Sequence, residues 1–242
     1  MAASLFLMAV SLGMTPAQAL DTALRAVEPH PALRAAFRAT LTTGGAGREI
    51  QFDPYAPPDQ QFRITNSWGE DPELDQVVAD WKAEGQADVR LFADDLRASL
   101  GEATVVDQGP SLSIAFRHQI RPNDGPVDVA INSQMIGDMT LDAQTGHLQE
   151  INYCIERPIK LQNGTVLTNY QQTYTFGYSD RWGVSFVQTY ELDARGGRWG
   201  VAQTRSIKVA LTDVAFGLAG DANQQLESKP APYSPGLTAN LR

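Results

Sequence analysis

Two ionisable side chains interrupt an otherwise apolar strand pattern in this sequence, and they are where chemistry would be sought first. His118 falls in phase with Leu112, Ile114 and Phe116, and Arg205 falls in phase with Val201 and Ile207. An imidazole or guanidinium set into an apolar face can orient the polar end of a ligand whose body is held by greasy walls. Plainer roles fit the same residues: a strand end for His118, a paired or snorkelling side chain for Arg205. The candidate lining around them is aromatic and thioether. Phe116, Met135, Met139 and Tyr153 come from the first half of the pattern, and Tyr170, Tyr174, Phe176, Phe186 and Tyr190 from the second. Such a stripe lines a hydrophobic tunnel or forms a core packed beneath helices, and it does both where helix and sheet part.

Motifs for catalysis are missing. The chain has three His and one Cys, with neither H-E-x-x-H nor C-x-x-C for zinc. There is no G-x-S-x-G elbow. Gly44 to Gly47 lacks the Lys-Ser/Thr of a phosphate loop and reads as a turn, and Asp94-Asp95 and Glu70-Asp71 read as solvated caps or surfaces. No cofactor or metal is implied. A hydrolytic site assembled by the fold, with His118 or carboxylates, stays open as an alternative.

The elements that must carry these residues follow from periodicity. Leu20, Ala23, Leu24 and Val27 predict a helix, broken at Pro29-His30-Pro31, and Leu33, Phe37 and Leu41 then recur at helical spacing. Ile50 with Phe52 and Phe62 with Ile64 predict two strands around a Pro-rich loop. Asp71-Pro72-Glu73 is a helix start, with Leu74, Val77, Val78 and Trp81 as its buried stripe; Phe92, Leu96 and Leu100 predict a further helix ending at Gly101.

From about residue 103 the period becomes two. Leu112 to Ile120 forms one strand, and a five-strand meander follows, with its apolar face on odd positions in 128–142 and 148–161, even ones in 166–178 and 182–192, and odd ones in 199–211. Turns at Gln144-Thr145-Gly146, Asn163-Gly164, Ser179-Asp180-Arg181 and within Arg195-Gly196-Gly197 link these parities consistently. They set Met139 opposite Ile151 and Tyr153 opposite Tyr174.

The N-terminus supplies an address. Residues 1–19 carry no charged side chain, run apolar from Leu5 to Met14 and end Thr15-Pro16-Ala17-Gln18-Ala19. That is the pattern of a secretory leader cleaved after Ala19, pointing to a bacterial periplasm, and the apolar run is too short for a membrane anchor. Residues 20–216 then read as one α+β domain and 217–242, with Pro230, Pro232 and Pro235, as a loose tail. The 242 residues are 43% hydrophobic and 19% charged, the balance of a globular chain, and Cys154 is the sole cysteine. A net charge of −9 argues against a nucleic-acid partner, which would need a basic surface.

The leader, a helical signal leading through Phe37 into a strand, the phrase Pro57-Pro58-Asp59-Gln60-Gln61-Phe62-Arg63 and the long meander together resemble the LolA/LolB lipoprotein-carrier superfamily. The resemblance implies an open, curved antiparallel sheet whose concave apolar face is closed by helices and holds acyl chains. The family's ligand-gating arginine has no assigned counterpart: Arg63 is out of phase with Phe62 and Ile64, and Arg205 is merely on the apolar face. The expected fold is α+β: a curved antiparallel meander of about seven or eight strands with about three helices on one face. The expected function is a periplasmic carrier of a lipid or acylated protein, with an envelope interaction protein as the alternative.

Overall fold

The computed structural model describes residues 14–93, 95–122, 124–198, 201–219 and 227–228. Its centre is one open, wholly antiparallel sheet covered on its apolar face by helices. Ten strands run in the spatial order β3 (Phe62–Trp68), β2 (Gly47–Phe52), β1 (Leu33–Thr42), β11 (Val201–Leu218), β10 (Val184–Arg198), β9 (Val166–Ser179), β7 (Leu148–Ile155), β6 (Met135–Asp142), β5 (Ser111–His118) and β4 (Leu100–Gln108). Two-residue strands β8 (Ile159–Lys160) and β12 (Glu227–Ser228) add to β9 and β11. The α+β meander is thus present, with more strands than the sequence pattern predicts.

Helix α1 (Pro16–Ala26) packs against both β10 and β6, so the sheet wraps around it. It starts upstream of the predicted cleavage point: Thr15 caps it in a reciprocal box with Gln18, and Ala19 is buried. Cleavage after Ala19 would remove that cap and the first turn, leaving Ala23, Leu24 and Val27 as the packed stripe. Residues 1–13 of the expected leader lie outside the described residues.

Because β3 and β4 are opposite edges of the sheet, the chain between them must cross its whole face. That strap consists of α2 (Pro72–Ala83), a 3₁₀ turn (Ala87–Leu91) and the single-turn α3 (Leu96–Ser99). It is pinned by apolar contacts. Leu74, Val78, Trp81, Ala87, Leu91 and Leu96 are all buried in the common core. Asp71 starts it, its carboxylate accepting the N–H groups of Glu73 and Leu74 at 3.0 Å each and the Thr43 hydroxyl at 2.6 Å. The Thr43 bond, then the Leu74 N–H, hold the Asp71 carboxyl below its ordinary value. This cap therefore stabilises the fold above the ordinary carboxylate range and loses that contribution as pH falls through the lowered value.

Several elements differ from their sequence expectations, each for a local reason. Leu33, Phe37 and Leu41 lie on strand β1, not a helix; a spacing of four satisfies both periods, and buried Ala35 and Ala39 complete a period of two. The helix expected through Phe92, Leu96 and Leu100 is reduced to the 3₁₀ turn and α3, with Leu100 already in β4. Val129 and Ile131 belong to α4 (Pro126–Asn132), where Pro126 opens a helix and the Gly125 N–H donates to Asp128 Oδ2 at 3.2 Å, so the strand expected from 128 begins only at Met135. Ile120 lies beyond the end of β5 and is exposed.

Most turns keep the predicted faces while shifting their partners; the turn before β10 does not, and Phe186 opposes Gly177 where Phe176 opposes Val187. Met139 does oppose Ile151, with Gly146 at φ +72° in the turn. Asn163-Gly164 closes a hairpin between β8 and β9. The break before β8 moves the β7 register, so Tyr153 opposes Gln172 and Ile151 opposes Tyr174. Near Ser179 the pairing is odd to even, since Gly183 lengthens the loop; a bulge between Val187 and Thr189 restores even to even. β10 and β11 pair past the expected turn at 195–197, out to Arg198 opposite Val201. Trp199 lies outside the described residues. Gly217 and Leu218, expected in a loose tail, pair with Arg34 and Leu33; Pro230, Pro232 and Pro235 lie outside the described residues.

Candidate functional site

Cross-strand registers arrange the apolar face into rows. One row runs Ile114, Met139, Ile151, Tyr174, Tyr190, Val209, Leu41 across seven strands, and the next runs Phe116, Gly137, Tyr153, Gln172, Leu192, Ile207. Met135 opposite Ile155, and Tyr170 opposite Ala194 and then Arg205, belong to the rim beyond. His118 ends β5 at the same rim. The sequence therefore places both polar candidates at one end of the face. It does not place them together: β5 and β11 are five strand spacings apart, roughly 24 Å along the sheet.

The middle rows are packed. Met139, Tyr190 and Ile114 are fully buried, Met135, Phe116, Phe176 and Phe186 nearly so, and Tyr174 is partly shielded. The rings contact one another edge to face, with Phe116 to Tyr153 at 5.7 Å and Tyr153 to Tyr174 at 6.0 Å, and Tyr174 to Tyr190 tilted at 5.0 Å. Phe116 lies directly over Gly137, where a Cβ would meet its Cζ at 2.3 Å. Gly137→Ala is accordingly expected to destabilise by about 1–3 kcal/mol through overpacking, read as a lower urea midpoint with unchanged slope.

Polar groups inside this face form one chain. Tyr174 Oη donates to Gln172 Oε1 at 3.2 Å, and Gln172 Nε2 donates to Tyr170 Oη at 2.6 Å. Burial pushes the phenol of Tyr170 up to about 12 and raises those of Tyr153, Tyr174 and Tyr190 well above their ordinary value, so all four stay neutral. Arg205 stands two strands from Tyr170, its side chain 18% exposed, with Nε 3.7 Å from Glu73 Oε2 of α2 and without a hydrogen-bond partner among the described residues. A guanidinium N–H left unsatisfied in an apolar wall is costly, on the order of 1–3 kcal/mol. It is the kind of group that a ligand oxygen would relieve.

His118 belongs to a different corner. Its ring packs edge-on against Tyr153 at 5.7 Å, and buried Nδ1 has no hydrogen-bond partner among the described residues. Burial, then the charge of Arg121, keeps the imidazole below its ordinary 6.5, so the folded state favours the neutral ring and loses stability on acidification below that value. The neighbouring carboxylates are held by Arg121. Asp95 bonds its Nη1, and Asp124 accepts from Nε at 3.1 Å and from Asn132 Nδ2 at 2.8 Å. Among the described residues no carboxylate engages Nδ1 as a catalytic dyad requires.

Arg48 escaped the sequence reading, although it stands in phase with Ile50 and Phe52. It is buried opposite Leu41, and its Nη1 donates to the carbonyls of Gly47, Trp68 and Gly69 at 2.7, 2.9 and 3.2 Å while Nε pairs with Asp75 of α2 at 2.8 Å. A cation on an apolar strand period, near an acidic helix start, was the available signal. Both inward arginines thus meet the first turns of α2.

Open cavities lie elsewhere. One of about 380 Å³ sits on the outer side of β4 to β7 around Ala115, Asp138 and Cys154, and of the aromatic and thioether candidates only Phe116 reaches it. Another of about 310 Å³ opens between the end of α1, the start of β1 and the 3₁₀ turn. Among the described residues no cluster of His, Cys, Asp and Glu could hold a metal ion, and no helix is long and apolar enough to cross a membrane. Compared with known proteins, the chain matches no family model, no curated protein and no solved structure.

Proposed function

We propose that the protein is an exported, periplasmic carrier of an amphiphile, a lipid or acylated protein whose chain lies along the apolar face. The observation that carries this reading is Arg205: a guanidinium at the rim of that face, without a hydrogen bond at Nε among the described residues, two strands from the Tyr170–Gln172–Tyr174 chain. An anionic headgroup would take the guanidinium, and Tyr170 would donate a further bond. The tail would displace the strap that crosses the face, whose tie to Arg205 is the loose contact with exposed Glu73. Each methylene taken from water contributes about 0.8 kcal/mol, so a long chain could offset the contacts the strap gives up. The sheet-and-helix arrangement and the resemblance to lipoprotein carriers support the same reading.

The test is direct. Organic extraction of purified protein, followed by mass spectrometry, is expected to yield stoichiometric lipid, and a fluorescent fatty acid is expected to bind saturably. Arg205→Met should weaken that binding roughly tenfold, the worth of a charge-assisted hydrogen bond. Empty protein that also fails to bind the probe would sink the carrier reading.

One observation favours a second reading, docking of an envelope protein. Among the described residues both edge strands are unpaired along one side, and they expose apolar residues, Ile64 and Trp68 on β3 and Val105 and Val106 on β4. Such edges accept an added strand. Retained fatty-acid binding in a Val106→Lys variant would separate the two.

A further inference from the structure

At the rim opposite Arg205, one carboxylate is left half used. Asp88 in the 3₁₀ turn is only 2% exposed. Its Oδ2 accepts the Ala35 N–H at 3.1 Å, on a stretch of β1 that lies past the end of β2 at Phe52 and so lacks a strand partner on that side. Its Oδ1 is buried with no hydrogen-bond partner among the described residues. Asp88 also lines the cavity of about 310 Å³, whose other walls include Leu33, Val89 and Phe92. Phe92 continues inward to Phe216 at 6.2 Å, so the back of the cavity is the apolar core.

The other charged groups around this cavity have hydrogen-bond partners, and the Arg34 charge also acts on Asp88 from the wall, drawing its carboxyl down against the effect of burial. Arg34, the guanidinium in the wall, is turned onto the carbonyls of Pro31 and Leu33 at 3.1 and 2.8 Å. Glu28 at the rim pairs with Arg97 at 2.6 Å. His30 Nδ1 accepts the Ala32 N–H. What Asp88 Oδ1 lacks is a hydrogen-bond donor, which Arg34 does not supply and a cationic group on a short apolar body would. We propose that this cavity binds a small primary amine, its ammonium on Asp88 Oδ1 and its hydrocarbon against Leu33, Val89 and Phe92.

The bland alternative is that Asp88 simply holds a proton, and burial does push its carboxyl above the ordinary range. In that case ionisation penalises the folded state, and stability falls as pH rises from the ordinary value through the raised one. Asp88→Asn separates the two roles, because the amide oxygen still accepts from Ala35 while the amide nitrogen repels an ammonium. The variant should therefore fold, with stability at neutral pH equal to or above that of the parent.

The experiment is an NMR titration of the full chain with n-butylammonium, with n-butanol and butyrate as controls of equal size, following the Ala35 amide. Saturable shifts are expected for n-butylammonium alone, at the millimolar affinity typical of so small a ligand. Asp88→Asn should weaken binding roughly ten- to a hundredfold. Val89→Phe, which adds bulk to the cavity wall and leaves the Asp88 carboxylate in the chain, should do the same. Absence of n-butylammonium binding, equal binding of n-butanol, or unchanged binding in either variant overturns the proposal. Fatty-acid binding at the Arg205 rim is independent of each of these outcomes.

Discussion

Trp81→Ala is expected to destabilise the protein by about 3–5 kcal/mol, lowering the thermal midpoint by roughly 6–20 °C for a chain of this size. Trp81 is the keystone of the strap. It is fully buried, stacked on Phe37 of β1 at 5.7 Å and edge-on to Phe62 of β3 at 5.9 Å, with Nε1 donating to the Ala87 carbonyl at 3.1 Å. The substitution therefore removes an aromatic stack, leaves a cavity and orphans a carbonyl at the junction of α2 and the 3₁₀ turn. Differential scanning calorimetry checks the size of the loss. A change under about 1 kcal/mol would mean that the strap is not packed on the face. The result also bears on function, because a carrier whose strap lifts should bind the fatty-acid probe at least as well once Trp81 is truncated, provided the variant is assayed below its midpoint.

Arg48→Met is expected to cost about 3 kcal/mol, and the cause is not the ion pair. Asp75 is 59% exposed, and a pair with so wet a partner contributes at most about 1 kcal/mol. The larger loss comes from the three carbonyls of Gly47, Trp68 and Gly69, which share Nη1 as donor and which methionine cannot satisfy. Methionine keeps the apolar stem, so lost packing is small. Urea denaturation of Arg48→Met beside Asp75→Asn tests this division: the arginine variant should lose several times as much as the aspartate variant. Equal losses would assign the stabilisation to the pair instead.

The antiparallel sheet was legible because alternation and turn chemistry constrain each other. A face can flip only by an odd slip, and each turn residue restricts the allowed slips. Thus the faces of β6, β7, β9 and β11 and of β10 beyond its bulge were readable, while even slips were not: Tyr153 opposing Gln172 keeps its face yet changes its partner. Where one spacing fits two periods, as in Leu33, Phe37 and Leu41, the assignment went to the wrong element. The alanines between them carry too little hydrophobic contrast to decide it. The order of strands across the sheet was also hidden, since pairing of β1 with β11 joins residues far apart in sequence.

Of the candidate site, residue types and the shared face were available from the sequence alone. Alternation put His118, Arg205 and the aromatics on one side, because side-chain direction in a strand is a local property. Their separation was not available, because it depends on how many strands intervene between β5 and β11. Nor was the strap visible as a cover, since only the placement of β3 and β4 at opposite edges forces residues 69–99 across the face. The half-used carboxylate of Asp88 belongs to the same category. Nothing in its neighbourhood in the chain marks it, and its role arises where one strand outlasts its neighbour and a distant turn supplies the missing acceptor. Periodicity determines which way a side chain faces, and only the assembled sheet determines what it meets there.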